Sequence, residues 1–342
     1  MPIALDSGYY IERPYLQSNC YDAIKQPGII INICAPKQMG KTSMMIRILA
    51  YAETRNYHTV SLNLQLPENE TLNNLKNLLK WFCARVSKDN GLLNQVAEFW
   101  DDSLDSKTNA TDYLETIILP QCSTKSSQEN APLIIAIDEI NELFAYPHIA
   151  REFFLLLRTW SEKAKLKLKN GNLWQKLRLI IIYSTEVLLP PSLPPSIFNT
   201  MLKIKLPLFN LEEVQDLANK YQYEINLQQI KQLINLLGGH PYRLQLAFCA
   251  LKKEILTLEE LFKNKEIAIH LYKEHLQQQW WNLQPYPELI DIFTQIVRTP
   301  NPLQIKVSLG NQLEKMGLIY LKGDRARISC DLFRLFFGEI LL

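Results

Sequence analysis

The sequence has no excess of either charge, no closely paired cysteines and no apolar run long enough to cross a bilayer, and each absence narrows the range of functions. Lysine and arginine number 37 against 35 acids, a formal net charge of +2. The chain as a whole therefore makes no electrostatic case for nucleic acid or an acidic surface, and any such binding would have to be local. The six cysteines, Cys20, Cys34, Cys83, Cys122, Cys249 and Cys330, form no C-x-x-C pair and lie mostly in apolar segments. They read as reduced thiols packed as small hydrophobes, which points to a cytoplasmic location. No basic-then-apolar leader opens the chain, and no run approaches the roughly 20 apolar residues of a membrane span, so no membrane association is expected. What the 342 residues do have is 47% apolar content, enough for real cores in two or three globular domains.

The chain is organised around Ala35-Pro36-Lys37-Gln38-Met39-Gly40-Lys41-Thr42-Ser43, which follows an apolar run, Ile29 to Cys34, and opens an amphipathic stretch, Met44 to Tyr51. That order is strand, loop, helix. A phosphate-binding loop needs backbone N–H groups turned inward at a helix N-terminus, a glycine that lets the backbone close round the anion, a lysine for the terminal phosphates and a hydroxyl for Mg²⁺. Gly40, Lys41 and Thr42 supply the last three. The first glycine of the motif is missing: Ala35 stands there, followed by Pro36, so the entry must be one that alanine tolerates. The plainer alternative is an ordinary strand-to-helix turn, and a second motif argues against it. Leu133 to Ile137 is a continuous apolar run that ends in Asp138-Glu139, as in a buried parallel strand with carboxylates at its C-terminal edge. Asp138 would hold Mg²⁺ through water and Glu139 would polarise an attacking water. The two motifs stand 97 positions apart (138 − 41), with room for intervening strands and helices, and together they point to nucleotide binding.

Ahead of the loop, Tyr9-Tyr10-Ile11-Glu12-Arg13-Pro14 precedes a helical pattern from Tyr15 to Ile24. Tyr9, Tyr10 or Arg13 could stack on a base, and an arm packed on the sheet is the competing reading. After the loop helix, His58 to Gln65 alternates like a strand and Thr71 to Val86 has helical spacing. Trp81, Phe82, Phe99 and Trp100 lie on amphipathic faces without basic residues between them, which favours core over a base-stacking platform. Cys122 to Asn130 reads as a surface loop. Ile149 to Lys165 is helical, carries Arg158, and runs into a solvated face of Lys163, Lys165, Lys167 and Lys169 before Gly171. Leu177 to Tyr183 is another buried strand ending at Ser184-Thr185-Glu186, where a polar residue either senses a terminal phosphate or caps the strand. Prolines 190, 191, 194 and 195 break the chain before a last short strand, Met201 to Leu206.

Helices are expected at Leu211 to Tyr221, Leu227 to Leu237 and Tyr242 to Leu251, with Gly238-Gly239-His240-Pro241 between the last two. That turn fits a helix stop and a helix first turn, and it is also placed where a lid would touch a bound base. From Pro285 the order is helix (Glu288 to Val297), Pro-broken turn, helix (Leu309 to Met316), strand (Leu318 to Lys322), Gly323-Asp324 turn, strand (Arg325 to Ser329) and helix (Asp331 to Leu341). This is the order of a winged helix. Its recognition helix would offer Asn311, Gln312, Glu314 and Lys315 but no arginine, so direct DNA binding is disfavoured. Lys322, Arg325 and Arg327 of the wing remain available to phosphates.

Several of these stretches, taken with Phe153-Phe154-Leu155-Leu156-Leu157-Arg158, Gly238 to Tyr242 and Lys315-Met316-Gly317-Leu318, resemble the AAA-like domain family abundant in cyanobacteria. The resemblance spans nearly the whole chain. It implies an α/β P-loop NTPase of the additional-strand (ASCE) type with a parallel sheet, of the signal-transduction (STAND-like) branch, followed by a helical lid and a C-terminal winged helix. The corresponding divisions are an N-terminal arm (1–28), a nucleotide-binding domain (29–207), a lid (208–284) and a winged-helix domain (285–342). By the resemblance Lys41 and Thr42 bind phosphate and Mg²⁺, Asp138 and Glu139 serve metal and water, and Ser184 or Thr185 senses the γ-phosphate of ATP. Arg158 is grouped with these catalytic residues. Ala35, Lys37, Gln38, Met39, Gly40 and Ser43, with Tyr10, Arg13, His240 and Pro241, complete the nucleotide-binding set. Lys37, where arginine is usual, and Asn141, where an acid is usual, depart from the pattern and bear on hydrolysis rather than binding. The implied activity is that of a slowly hydrolysing ATP switch, with a nucleotide-bound adaptor or a DNA-binding regulator as alternatives. The implied partner is a protein effector or sensor, self-assembly is left open, and no such domain is read in this chain, which ends at Leu342.

Overall fold

The computed structural model describes residues 3–122, 131–166 and 172–341. Five parallel strands, β1 (Ile30–Ala35), β2 (His58–Asn63), β3 (Leu133–Asp138), β4 (Leu177–Ser184) and β5 (Leu202–Lys205), make one sheet in the order β2-β3-β4-β1-β5. Every residue of β1, β3 and β4 is buried, which is what continuous apolar runs produce when helices cover both faces. β4 lies between β1 and β3, so the loop after β1 and the carboxylates ending β3 are separated by one added strand. Ala35 pairs with Ser184, and Ile137 with Ile181. The loop, Asp138 and Ser184 therefore share the C-terminal edge of the sheet, where open α/β sheets bind ligands.

Alternate residues of β1 feed two apolar layers. Ile30 and Cys34 pack with helices Leu75–Asp89 and Pro147–Lys165, through Phe82, Phe153 and Trp160. Ile31, Ile33 and Ala35 face helices Pro14–Ala23 and Lys41–Glu53, through Cys20, Met44 and Ile48. Phe82 and Trp100 are core residues, and Trp81 and Phe99 pack half-buried against the same cluster. All six cysteines lie inside except half-buried Cys249. Among the described residues no helix is long and apolar enough to cross a membrane. The surface loop expected after Cys122, at 123–130, and Lys167, Lys169 and Gly171 of the lysine-rich tail lie outside the described residues.

The rest of the chain is helical with one small sheet. Helices Leu211–Lys220, Leu227–Leu237 and Pro241–Lys252 are followed by Leu258–Lys263, Lys265–Leu271 and Lys273–Leu283. Then come helix Pro287–Arg298, β6 (Leu303–Gln304), helix Val307–Lys315, β7 (Ile319–Lys322), β8 (Arg325–Ile328) and helix Asp331–Ile340, the strands pairing antiparallel as β6-β8-β7. Segments 208–284 and 285–342 share one apolar core, in which Leu237, Phe248 and Leu276 meet Phe293, Phe333 and Phe337.

The joint between sheet and helices is tight. Gly238 and Gly239 both have positive φ, +76° and +68°, conformations glycine adopts without steric cost. Phe209 N–H donates to Gly239 O at 2.8 Å, and a Cβ on Gly239 would stand 2.6 Å from Phe209 O. Gly239→Ala is expected to cost about 2 kcal/mol through strained φ and clash together. Urea unfolding measures this, and a wild-type midpoint would mean that the Phe209 segment moves aside freely.

Candidate functional site

Gly40, at φ +91°, ends the loop and starts helix Lys41–Glu53. A side chain would resist this backbone, and only through it do the first N–H groups of the helix face the cleft. Lys41 is 6% exposed and its Nζ donates to Ala35 O (3.2 Å) and Pro36 O (2.8 Å), so the ammonium folds over the loop's own entry. Burial lowers its pKa, and the carboxylates of Glu139, Glu186 and Asp138 oppose that shift. Thr42 Oγ1 donates to Asp138 Oδ2 at 2.7 Å. A hydroxyl and a carboxylate side by side on a rigid sheet edge are hard oxygen donors that fit Mg²⁺, an ion that completes its shell from water and phosphate.

Glu139 N–H donates to Asp138 Oδ1 (2.9 Å), and Glu139 itself adopts φ +54°. Burial raises its carboxyl pKa, as does Asp138 beside it, while Lys41 and a hydrogen bond from Asn141 lower it. Asn141 is buried and its Oδ1 accepts Ser184 N–H at 3.0 Å. One amide thus ties the Glu139 side chain to the end of the neighbouring strand. The loop borders a cleft of about 340 Å³.

A family model for the AAA-like domain matches residues 1–339. The chain belongs to the AAA-like domain family. It is a P-loop ATPase-like AAA domain. Among solved structures, a Walker-type ATPase of Pyrococcus abyssi shares 14% identity with a TM-score of 0.63, over 98% of this chain and 97% of that one. A signal-transduction ATPase with a tetratricopeptide-repeat sensor from Pyrococcus horikoshii aligns at 18% identity and TM-score 0.40, over 99% of this chain and 43% of its own. Domain III of the replication initiation protein DnaA from Thermotoga maritima aligns at 15% identity and TM-score 0.42, over 80% of this chain and 98% of that one. No curated protein matches by sequence.

In this AAA-like domain the cleft wall includes Lys37 to Ser43 and Glu139, with Tyr10 and Arg13 from the N-terminal stretch and Pro241, Tyr242 and Gln245 from helix Pro241–Lys252. Ala35 is buried at the end of β1 and Asp138 behind Thr42. The N-terminal stretch is strapped down. Ile3 N–H donates to Ser43 Oγ (2.8 Å), Arg47 donates to Ile3 O and Ala4 O, and its guanidinium lies 3.2 Å over the Tyr10 ring. Arg13 donates to Pro207 O and sits over Phe209. Tyr9 stacks on Tyr221 instead of facing the cleft.

Four of the expected site residues lie outside the cleft wall and are engaged in other contacts. Arg158 is on the solvent side of helix Pro147–Lys165, paired with Glu162 one turn on (2.8 Å), because the apolar stripe of that helix faces the core. Thr185 Oγ1 donates to Lys315 O (2.6 Å), across to the C-terminal module. Ser184 is fully buried and its Oγ accepts Glu186 N–H. His240 is buried behind the loop, hydrogen-bonded to the Lys37 backbone.

The structure also brings in residues that the sequence did not single out. Glu186, 2% exposed, accepts Lys37 N–H on Oε1 (2.9 Å), with Gln279 on the same oxygen (3.0 Å) and Asn282 on the other (2.8 Å). Burial raises its pKa, and the hydrogen bonds from Gln279 and Lys37 N–H oppose that rise. His275 Nδ1 meets Gln38 Oε1 (2.9 Å), and its Nε2 accepts from Arg243 (3.0 Å). Burial and the guanidinium push the His275 pKa down to about 2. A buried neutral histidine stabilises the fold fully above its ordinary value of 6.5, and the contribution falls away as pH drops below that value, because only the unfolded chain takes up the proton. His240 shifts in the same direction. Glu139 and Glu186, whose pKa values are raised, act with the opposite sign, so a variant comparison isolates the histidine. The melting temperature should fall between about pH 7.5 and about pH 5, and the fall should shrink in His275→Asn. An equal fall in the variant would exclude His275 as the source.

Proposed function

We propose that this AAA-like domain is an ATP-dependent molecular switch in signalling or regulation, which binds Mg·ATP in the cleft and hydrolyses it slowly to reset. The observation that carries the reading is the position of the loop. Its inner face borders the cleft with Lys41, Thr42 and Glu139, and its outer face is hydrogen-bonded to Glu186 and His275, which lead into the helical segments. A loop held from both sides can favour different arrangements with ATP and ADP, which is the physical requirement of a switch.

In this reading Lys41 grips the terminal phosphates, Thr42 and Asp138 hold Mg²⁺, and Glu139, oriented by Asn141, orders the attacking water. Tyr10, Arg13 and Pro241 enclose the base. Mg²⁺ would supply charge compensation to the phosphates. Segment 285–342, read as a winged helix, would carry the change to a protein effector or sensor. Its helix Val307–Lys315 exposes Asn311, Glu314 and Lys315 and has no arginine, which favours a protein partner over DNA.

Lys41→Ala should abolish Mg·ATP binding in calorimetric titration, and equal affinity in wild type and variant would remove the site. Glu139→Gln should keep ATP but lose turnover, since the amide keeps the shape without a basic oxygen. Steady-state phosphate release tests this. A wild type without turnover, alone and with partners, would make the protein a nucleotide-bound adaptor. Hydrogen exchange across 285–341 should differ between the ATP and ADP states, and identical exchange would end the switch reading while leaving the ATP site intact.

A further inference from the structure

Two chains of hydrogen bonds run from the outer face of the loop to helix Lys273–Leu283. In the first, Arg243 donates from Nε to His275 Nε2 at 3.0 Å. A guanidinium only donates, so the imidazole proton must sit on Nδ1, from which it donates to Gln38 Oε1 at 2.9 Å. Arg243 also donates to Leu237 O and Cys330 Sγ, and its guanidinium lies 4.2 Å over Phe333. The chain therefore runs from the loop through the helix to the start of the last helix. In the second, Glu186 joins Lys37 N–H to Gln279 and Asn282, one turn and two turns further along the same helix from His275.

Gln38 is held in an unusual state. Its φ is +62°, in the left-handed region, where a residue with a side chain persists only if its surroundings over-determine it. The two chains provide that: one fixes the Gln38 side chain and the other fixes the peptide N–H of the residue before it. Beside them lies a cavity of about 230 Å³ lined by Pro36, His240, Gln279 and Met316. His240 Nδ1 and Gln279 Oε1, both buried, have no hydrogen-bond partner among the described residues. These spare acceptors leave room for a second arrangement of the same groups.

We infer that His275 and Glu186 are positioning residues for the phosphate loop: without touching nucleotide, they set the shape of Lys37 and Gln38 and pass a change in that shape to helix Lys273–Leu283 and on to the C-terminal module. The inference rests on the reading of the cleft as an ATP site. It makes the helix that carries His275 the element that reads the loop.

The test uses the full chain, with Mg·ATP and Mg·ADP affinities from calorimetry, melting temperatures, and hydrogen exchange at 317–330. Asparagine places an amide N–H close to the imidazole Nδ1–H, whereas glutamine extends toward Nε2 and presents a donor to Arg243. His275→Asn should therefore stay within about twofold of wild-type affinity, while His275→Gln and Gln38→Leu each weaken binding by about fivefold, the loss of roughly one hydrogen bond. The double variant His275→Gln/Gln38→Leu should be no weaker than either single one, because both break the same link. In His275→Gln the nucleotide-dependent exchange at 317–330 should also disappear. Wild-type affinity in His275→Gln, equal losses in the Asn and Gln variants, or additive losses in the double variant would each overturn the inference and leave these residues as packing. If the His275 variants do not fold, Asn282→Ala, at a half-buried position on the second chain, should weaken both nucleotides by about twofold or more, and unchanged affinity there overturns the inference. A wild type that binds no ATP overturns the site reading itself, and is seen before any variant is compared.

Discussion

A carboxylate sealed away from water must be ringed by donors, and Glu186 draws its donors from two distant parts of the chain. One is the peptide N–H of Lys37 in the loop, and the others are the amides of Gln279 and Asn282. Removing one partner of a buried charge typically costs about 3–5 kcal/mol, so the end of β4, the loop and the helix are bound to meet wherever this side chain is buried. Neighbouring contacts then follow from that meeting. Thr185 reaches Lys315 O, and a Cβ on Gly317 would stand 3.3 Å from Pro36 Cγ. The sheet edge that carries the candidate chemistry is thus inseparable from the module at the far end of the sequence.

The strands that hold the site were legible because each central one is buried on both faces and so is written as an unbroken apolar run. Ile29 to Cys34, Leu133 to Ile137 and Leu177 to Tyr183 are read within a residue or two of β1, β3 and β4. The loop was legible because glycine, lysine and threonine have separate physical tasks at one strand-to-helix junction. His275, Gln279 and Asn282 left no such trace: their partners stand 237, 93 and 96 positions away, and a single polar residue on a helix has no period to detect. Strand β6, only two residues long, is too short for alternation. The pairing of Arg158 with Glu162 at the surface was not legible either, since motif membership says nothing of which way a helix turns its side chains. Ser184 and Thr185 are at the expected strand end, but the backbone there turns one hydroxyl inward and the other toward Lys315.

The cleft is walled by three separate pieces of sequence. The N-terminal stretch is held over the loop helix by Arg47 and Ser43, the loop forms the floor, and helix Pro241–Lys252 contributes Pro241, Tyr242 and Gln245. The loop helix is attached to the layer around Met44 and Ile48, the strand carrying the carboxylates to the layer around Phe153, and helix Pro241–Lys252 to the layer around Phe248, which also takes in Ile11 of the N-terminal stretch. Apolar packing supplies the bulk of the stability, and hydrogen bonds to the loop set how the layers register with one another.

Helix Lys273–Leu283, which holds the loop through His275 and Gln279, ends in two adjacent indoles with opposite surroundings. Trp280 is half-buried with its ring centroid 6.4 Å from that of Phe337, and Trp281 is 59% exposed. An indole's emission colour and its quenching by small solutes follow the polarity and openness around it. With Trp81, Trp100, Trp160 and Trp174 replaced by phenylalanine, the pair would give the chain an optical gauge on the element that grips the loop, readable in free solution without attaching a dye.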